Sequence, residues 1–124
     1  SNEQMRINAL RGLADAAPDR MKSLLEPQFT TDLAKRGQAE VREMAVLYLQ
    51  VGKKEALDKM RELIHVRGVI VSDADRELAV LLAKMIARSA TPGVSKLLAD
   101  VANDWRAPGK LRATCKELAD LMQR

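Results

Sequence analysis

Val41-Arg42-Glu43-Met44-Ala45-Val46-Leu47-Tyr48-Leu49-Gln50-Val51-Gly52-Lys53-Lys54-Glu55-Ala56-Leu57 decides the fold. Val41, Met44, Ala45, Tyr48 and Leu49 recur at the three- and four-residue steps of one helix face. Gly52 interrupts that helix with a tight turn, and Leu57, Met60, Leu63 and Ile64 then restart the pattern over about 54–66. Two short amphipathic helices joined this way make a helical hairpin. The same phase returns on either side. Arg6, Arg42, Arg76 and Arg112 are separated by 36, 34 and 36 positions. Ala9, Ala45, Ala79 and Cys115 follow these arginines at one fixed offset, and Leu13, Leu49, Ala83 and Ala119 at another. A second set comprises Met21, Leu57 and Val94, then Leu24, Met60 and Leu97. A period of this length predicts helical hairpins that stack because one hairpin cannot bury both its faces.

The remaining elements follow from periodicity and punctuation. A helix over 5–16 carries Ile7, Leu10, Leu13 and Ala14 on one side, and Pro18 opens the next. Residues 27–38 are ambiguous, with one short helical piece suggested by Leu33 and Ala34 before Gly37. Gly68-Val69-Ile70-Val71 reads as an extended connector, since consecutive β-branched residues disfavour helix. Ser72 with Asp75 forms a capping-box start for a helix over 74–89, which is apolar almost all round and is expected at the centre of the domain. Thr91-Pro92-Gly93 suggests a cap with Pro in the first turn. Val94, Leu97, Leu98, Val101 and Trp105 form the next stripe, with Trp105 expected to close the core. The last helix, about 109–122, is expected to bury Leu111, Cys115, Leu118 and Met122.

Val41-Arg42-x-x-Ala45-x-x-x-Leu49, followed by Gly52 and Glu55-Ala56-Leu57, resembles the second helix and turn of a HEAT repeat. Asp75-Arg76-Glu77-Leu78-Ala79 and Leu111-Arg112-Ala113-Thr114-Cys115 resemble weaker copies, and Arg6-Ile7-Asn8-Ala9 a weaker one still. The resemblance covers most of the chain and implies an all-α, HEAT/armadillo-like superhelix of about three and a half stacked hairpins. The usual acidic-Pro turn is missing, and residues 27–38 and Val69–Val71 depart from the family pattern. A regular solenoid and an irregular armadillo-like bundle therefore both stay open. Residues 1–124 are read as a single helical-repeat domain, and Ser1-Asn2 as a tag remnant on a piece of a longer protein.

Composition narrows the function. The 124 residues are 47% hydrophobic and 31% charged, which suits a folded domain with its own core. No apolar run approaches the ~20 residues of a membrane span. The single cysteine, Cys115, permits no internal disulfide and fits a reducing, cytoplasmic setting. It sits in the repeat's small-residue slot and is expected in the core. His65 stands alone near a helix end, so zinc ligation is not expected. Asp73-x-Asp75-x-Glu77 lacks the glycine and the distant Glu of a calcium loop. Gly109-Lys110 lacks the rest of a phosphate-binding loop. Glu40 and Glu43 are a carboxylate pair expected on exposed helix faces, without an apolar pocket to raise one pKa. Neither an enzyme nor a cofactor is expected.

Binding is the remaining class. The resemblance implies that the helices beginning near each repeat Arg line a concave face. Glu43, Val46, Leu47 and Gln50 share one phase there, as do Glu77, Val80, Leu81 and Lys84. Val46, Leu47, Val80 and Leu81 would form an apolar centre for a protein partner, with charges at the rim. The alternative is nucleic acid on the basic C-terminal half. The net charge is +4, and residues 76–124 hold 9 basic against 5 acidic side chains. Lys84, Arg88, Lys96, Arg106 and Lys110 are the candidates there. Asp104-Trp105-Arg106 adds one aromatic, where stacking on nucleic acid ordinarily uses several.

Overall fold

Helix boundaries fall at the punctuation in the computed structural model, which describes residues 2–66 and 71–123. Six α-helices are present among the described residues: α1 (Asn2–Ala16), α2 (Pro18–Leu25), α3 (Gln38–Ile64), α4 (Asp73–Ala87), α5 (Val94–Ala102) and α6 (Gly109–Met122). No strand occurs among them. Pro18 occupies the first turn of α2, where its missing N–H is not needed. Ser72 caps α4 by accepting the Asp75 N–H at 3.1 Å. No described helix is long and apolar enough to cross a membrane.

α3 is two arms rather than one rod. Lys53 adopts φ 49°, ψ −120°, so the helix breaks between residues 52 and 54, at the turn expected from Gly52. Gly52 itself is buried and serves close packing. A Cβ there would lie 3.0 Å from the Ala56 Cβ and 3.1 Å from Tyr48 Cε1. The ambiguous stretch before α3 forms two 3₁₀ turns, Glu26–Gln28 and Thr31–Lys35, the second capped by the Thr30 hydroxyl. Between them Phe29 is buried with its ring centroid 4.6 Å from that of Tyr48. Residues 27–38 thus contribute core rather than a simple linker.

α3 packs against α1, α2 and α4, while α4 packs against α3, α5, α6 and the Thr31–Lys35 turn. α4 buries Leu78, Ala79, Val80, Leu82, Ala83, Met85 and Ile86, as expected of a central helix. Full burial of a side chain such as Leu82 or Ile86 stabilises by about 1.5–3 kcal/mol relative to leaving it exposed. Ala45, Ala79 and Cys115, which follow their arginines at one offset in the sequence, are all fully buried. Ala9, the fourth, is exposed, because α1 lies at the edge and covers the core mainly with Ile7.

Several expectations are corrected. Trp105 is 79% exposed, not closing the core. α5 ends at Ala102, and the Asp104 carboxylate accepts the Arg106 N–H at 3.0 Å, so the chain turns and Trp105 leaves the buried stripe. On α6 Leu118 is half-buried and Met122 exposed, while Ala119 is buried instead. Leu24 is exposed as well. α5 is capped by Gly93, at φ 95°, with Pro92 lying outside the helix. That left-handed position suits a residue without a Cβ. Of the expected connector Gly68–Val71, residues 68–70 lie outside the described residues; Val71 is half-buried and its carbonyl accepts from Arg76 Nη2 at 2.8 Å.

Tyr48 supplies a stability test. Its hydroxyl is buried without a hydrogen-bond partner among the described residues. Removing it as Tyr48→Phe is expected to stabilise by about 1 kcal/mol, read from the urea midpoint at neutral pH. Burial pushes the phenol up to about 12, from 10.0 in the unfolded chain. The unfolded state therefore ionises first. The wild type should lose stability relative to the Phe variant as pH rises through 10 toward about 12.

Candidate functional site

One face of the first arm of α3 runs from the core out to the surface. Arg42, Val46, Leu49 and Lys53 follow one another on it at helical steps. Leu49 is buried at the base, Val46 is half-buried, and Arg42 and Lys53 stand exposed at the two ends. Across from them lie Met85 and Arg88 at the end of α4 and the Ser89–Pro92 loop. Between these walls is a groove of about 840 Å³. The loop wall is fixed locally. The Ser89 and Thr91 hydroxyl oxygens are 2.6 Å apart, and Ser89 Oγ also accepts the Thr91 N–H at 3.1 Å.

The rim is cationic. Glu43 also lines the groove, but its carboxylate accepts from Arg11 Nε at 2.7 Å and Arg11 Nη2 at 3.1 Å. That bidentate pair joins α1 to α3 and neutralises the groove's one acid. Arg42 donates to Gln38 Oε1 at 3.3 Å. Among the described residues no carboxylate pairs with Arg42, Lys53 or Arg88. The centre is therefore apolar and the edge carries positive charge.

One turn further back, a second junction fixes the end of α3 that carries the groove. Glu40, expected on an exposed helix face, is instead 2% exposed, because α1 and Arg36 close over it. It accepts from Arg6 Nε at 2.8 Å, Arg6 Nη2 at 3.1 Å and Arg36 Nη1 at 3.4 Å. Its hydrogen bonds from Arg6 hold its carboxyl below the usual range, against the opposing effect of burial. The Glu3 carboxylate caps the same helix by accepting the Glu40 N–H at 3.2 Å. Arg6 thus joins α1 to the start of α3 through Glu40. Arg76 bonds locally, to the Val71 carbonyl and to Asp73.

The residues expected on a single apolar face separate. Glu43, Val46 and Gln50 line the groove. Leu47 and Val80 are 6% and 7% exposed and belong to the core, because the central packing of α3 and α4 covers them. Leu81 is half-buried and Lys84 exposed. Glu77 and Val80 border a smaller hollow of about 270 Å³ shared with Lys110. The alternative basic patch also divides. Lys96 pairs with Asp100 at 2.8 Å and Arg106 with Asp104 at 3.2 Å, while Arg88 lines the large groove and Lys110 the small one. The groove thus joins part of each expected set. Arg42, Lys53, Met85 and Pro92 were not anticipated there. The phase of Arg42, four residues before Val46, was the available signal.

Comparison with family models, curated proteins and solved structures finds no match for the chain.

Lys53 gives the site a measurable strain. A non-glycine residue at positive φ costs on the order of 1–3 kcal/mol. Lys53→Gly is expected to relieve it and raise stability by about 1 kcal/mol after the greater chain entropy of glycine is counted. A lowered denaturation midpoint in that variant would refute the strain.

Proposed function

We propose that the chain is a non-catalytic protein-interaction or scaffold module, a HEAT/armadillo-like helical-repeat domain that receives a partner in the groove between α3 and the end of α4. The observation that carries this reading is the groove of about 840 Å³, with Val46 and Leu49 at its centre and cations at its rim. The order of packing supports the repeat reading: α1 and α2 meet α3, α3 meets α4, and α4 meets α5 and α6. The buried small residues at 45, 79 and 115 support it too. A cytoplasmic setting accords with the single buried cysteine.

Nucleic-acid binding is the second reading, favoured by the exposure of Trp105 at 79% beside Arg106. Arg106 and Lys96 are already paired with carboxylates, which weakens the attraction for phosphate.

Val46→Gln separates the two readings. It removes the half-buried apolar centre without adding charge. In affinity capture from cells that make the protein, the variant should lose a protein retained by the wild type, and nuclease treatment should leave that retention intact. The interaction reading fails if wild type and variant retain the same proteins, or if nuclease removes them all. Circular dichroism checks that the variant is folded.

A further inference from the structure

We propose that the occupant of the groove is an acidic segment of a protein partner, with apolar side chains over Val46 and Leu49 and carboxylates against Arg42, Lys53 and Arg88. This inference rests on the groove being the interaction site and adds the chemistry of what binds there.

Charge is the first argument. The rim carries three cations, and its one carboxylate, Glu43, is held by Arg11 from α1. A basic or neutral segment would leave the rim unmatched, whereas carboxylates pair with it and guide encounter. Spacing is the second. Arg42 lies on the first arm of α3 and Lys53 at the break that ends it, which puts about 15 Å of helix, from residue 42 to 52, between them. Arg88 faces them from the other wall. Acids at both ends of a segment of about three helical turns would meet cations at both ends of the groove.

The backbone provides the third argument, and it is independent of charge counting. Lys53 holds φ 49°, a conformation that glycine adopts without penalty. Glycine at this turn would keep the chain reversal but lose the cation at the groove's rim. The strained position thus carries a cation at the groove where local folding alone favours glycine, and strained backbone of this kind clusters at binding sites.

Random peptides of about twelve residues, displayed on phage, are the probe; this length spans the groove as a helix. Selection is made on the intact chain, and enriched peptides are then measured against Val46→Gln and Lys53→Gly. The expected peptides carry net negative charge with apolar residues between the acids. Their affinity should fall about tenfold on Lys53→Gly, consistent with one lost charge-assisted contact, although that variant is the more stable protein. They should also weaken on Val46→Gln. Enriched peptides that are neutral or basic but still weakened by Val46→Gln would overturn the acidic occupant and leave the groove reading standing. Acidic peptides with unchanged affinity on Lys53→Gly would overturn the assigned role of the rim. Peptides insensitive to Val46→Gln, or no enrichment at all, would overturn both the occupant and the groove.

Discussion

The packing of α3 against α4 is the contact on which the rest of the structure depends. Ala45 on α3 and Ala79 on α4 are both fully buried. Small side chains let helix backbones approach closely, and in this aromatic-poor chain the space around them is filled by Leu, Met, Ile and Val. α1 and α2 gather on one side of the pair, through α3, and α5 and α6 on the other, through α4. The groove is a consequence of that pairing. It lies where the first arm of α3 and the last turn of α4 face the Ser89–Pro92 loop.

Two kinds of interaction then hold the site in shape. Ion pairs between elements fix the beginning of α3: Arg6 and Arg36 on Glu40, Arg11 on Glu43. Exposed pairs of this type contribute little each, but Glu40 is buried, and a buried carboxylate without its partners would be costly. Local geometry fixes the other end, through Lys53 at positive φ, Gly52 packed under Tyr48, and Gly93 in the left-handed cap of α5. A groove whose walls are set before binding loses less entropy when it is occupied. The strain at Lys53 works against stability, and the cation it places at the rim is the compensating gain in the proposed function.

The sequence made the helices legible because periodicity and punctuation are local signals. Ser72 with Asp75, Pro18 and Gly52 each mark a boundary that the fold respects. The buried phase of Ala45, Ala79 and Cys115 could be read from their recurrence. What failed depended on contacts distant in sequence. Leu47 and Val80 share their helical phase with surface positions, and only the neighbouring elements decide that they are covered. Trp105 follows the apolar spacing of α5, but the turn made by Asp104 removes it from the helix. Lys53 carries no sequence signal of its own, since lysine at positive φ is uncommon and glycine stands beside it. The groove was therefore visible as two separate halves, one in the phase of Glu43, Val46 and Gln50 and one in Arg88, without the packing that joins them.

The central claim is that binding occurs between α3 and the end of α4. The most direct measurement is an amide chemical-shift map of the ¹⁵N-labelled chain, titrated with a synthetic helical peptide bearing Leu on one face and Glu at its ends. The account predicts saturable shifts concentrated at residues 39–53 and 85–92, with the largest near Val46 and Arg88. Shifts centred instead on Trp105 and α6, with residues 39–53 unchanged, would contradict it.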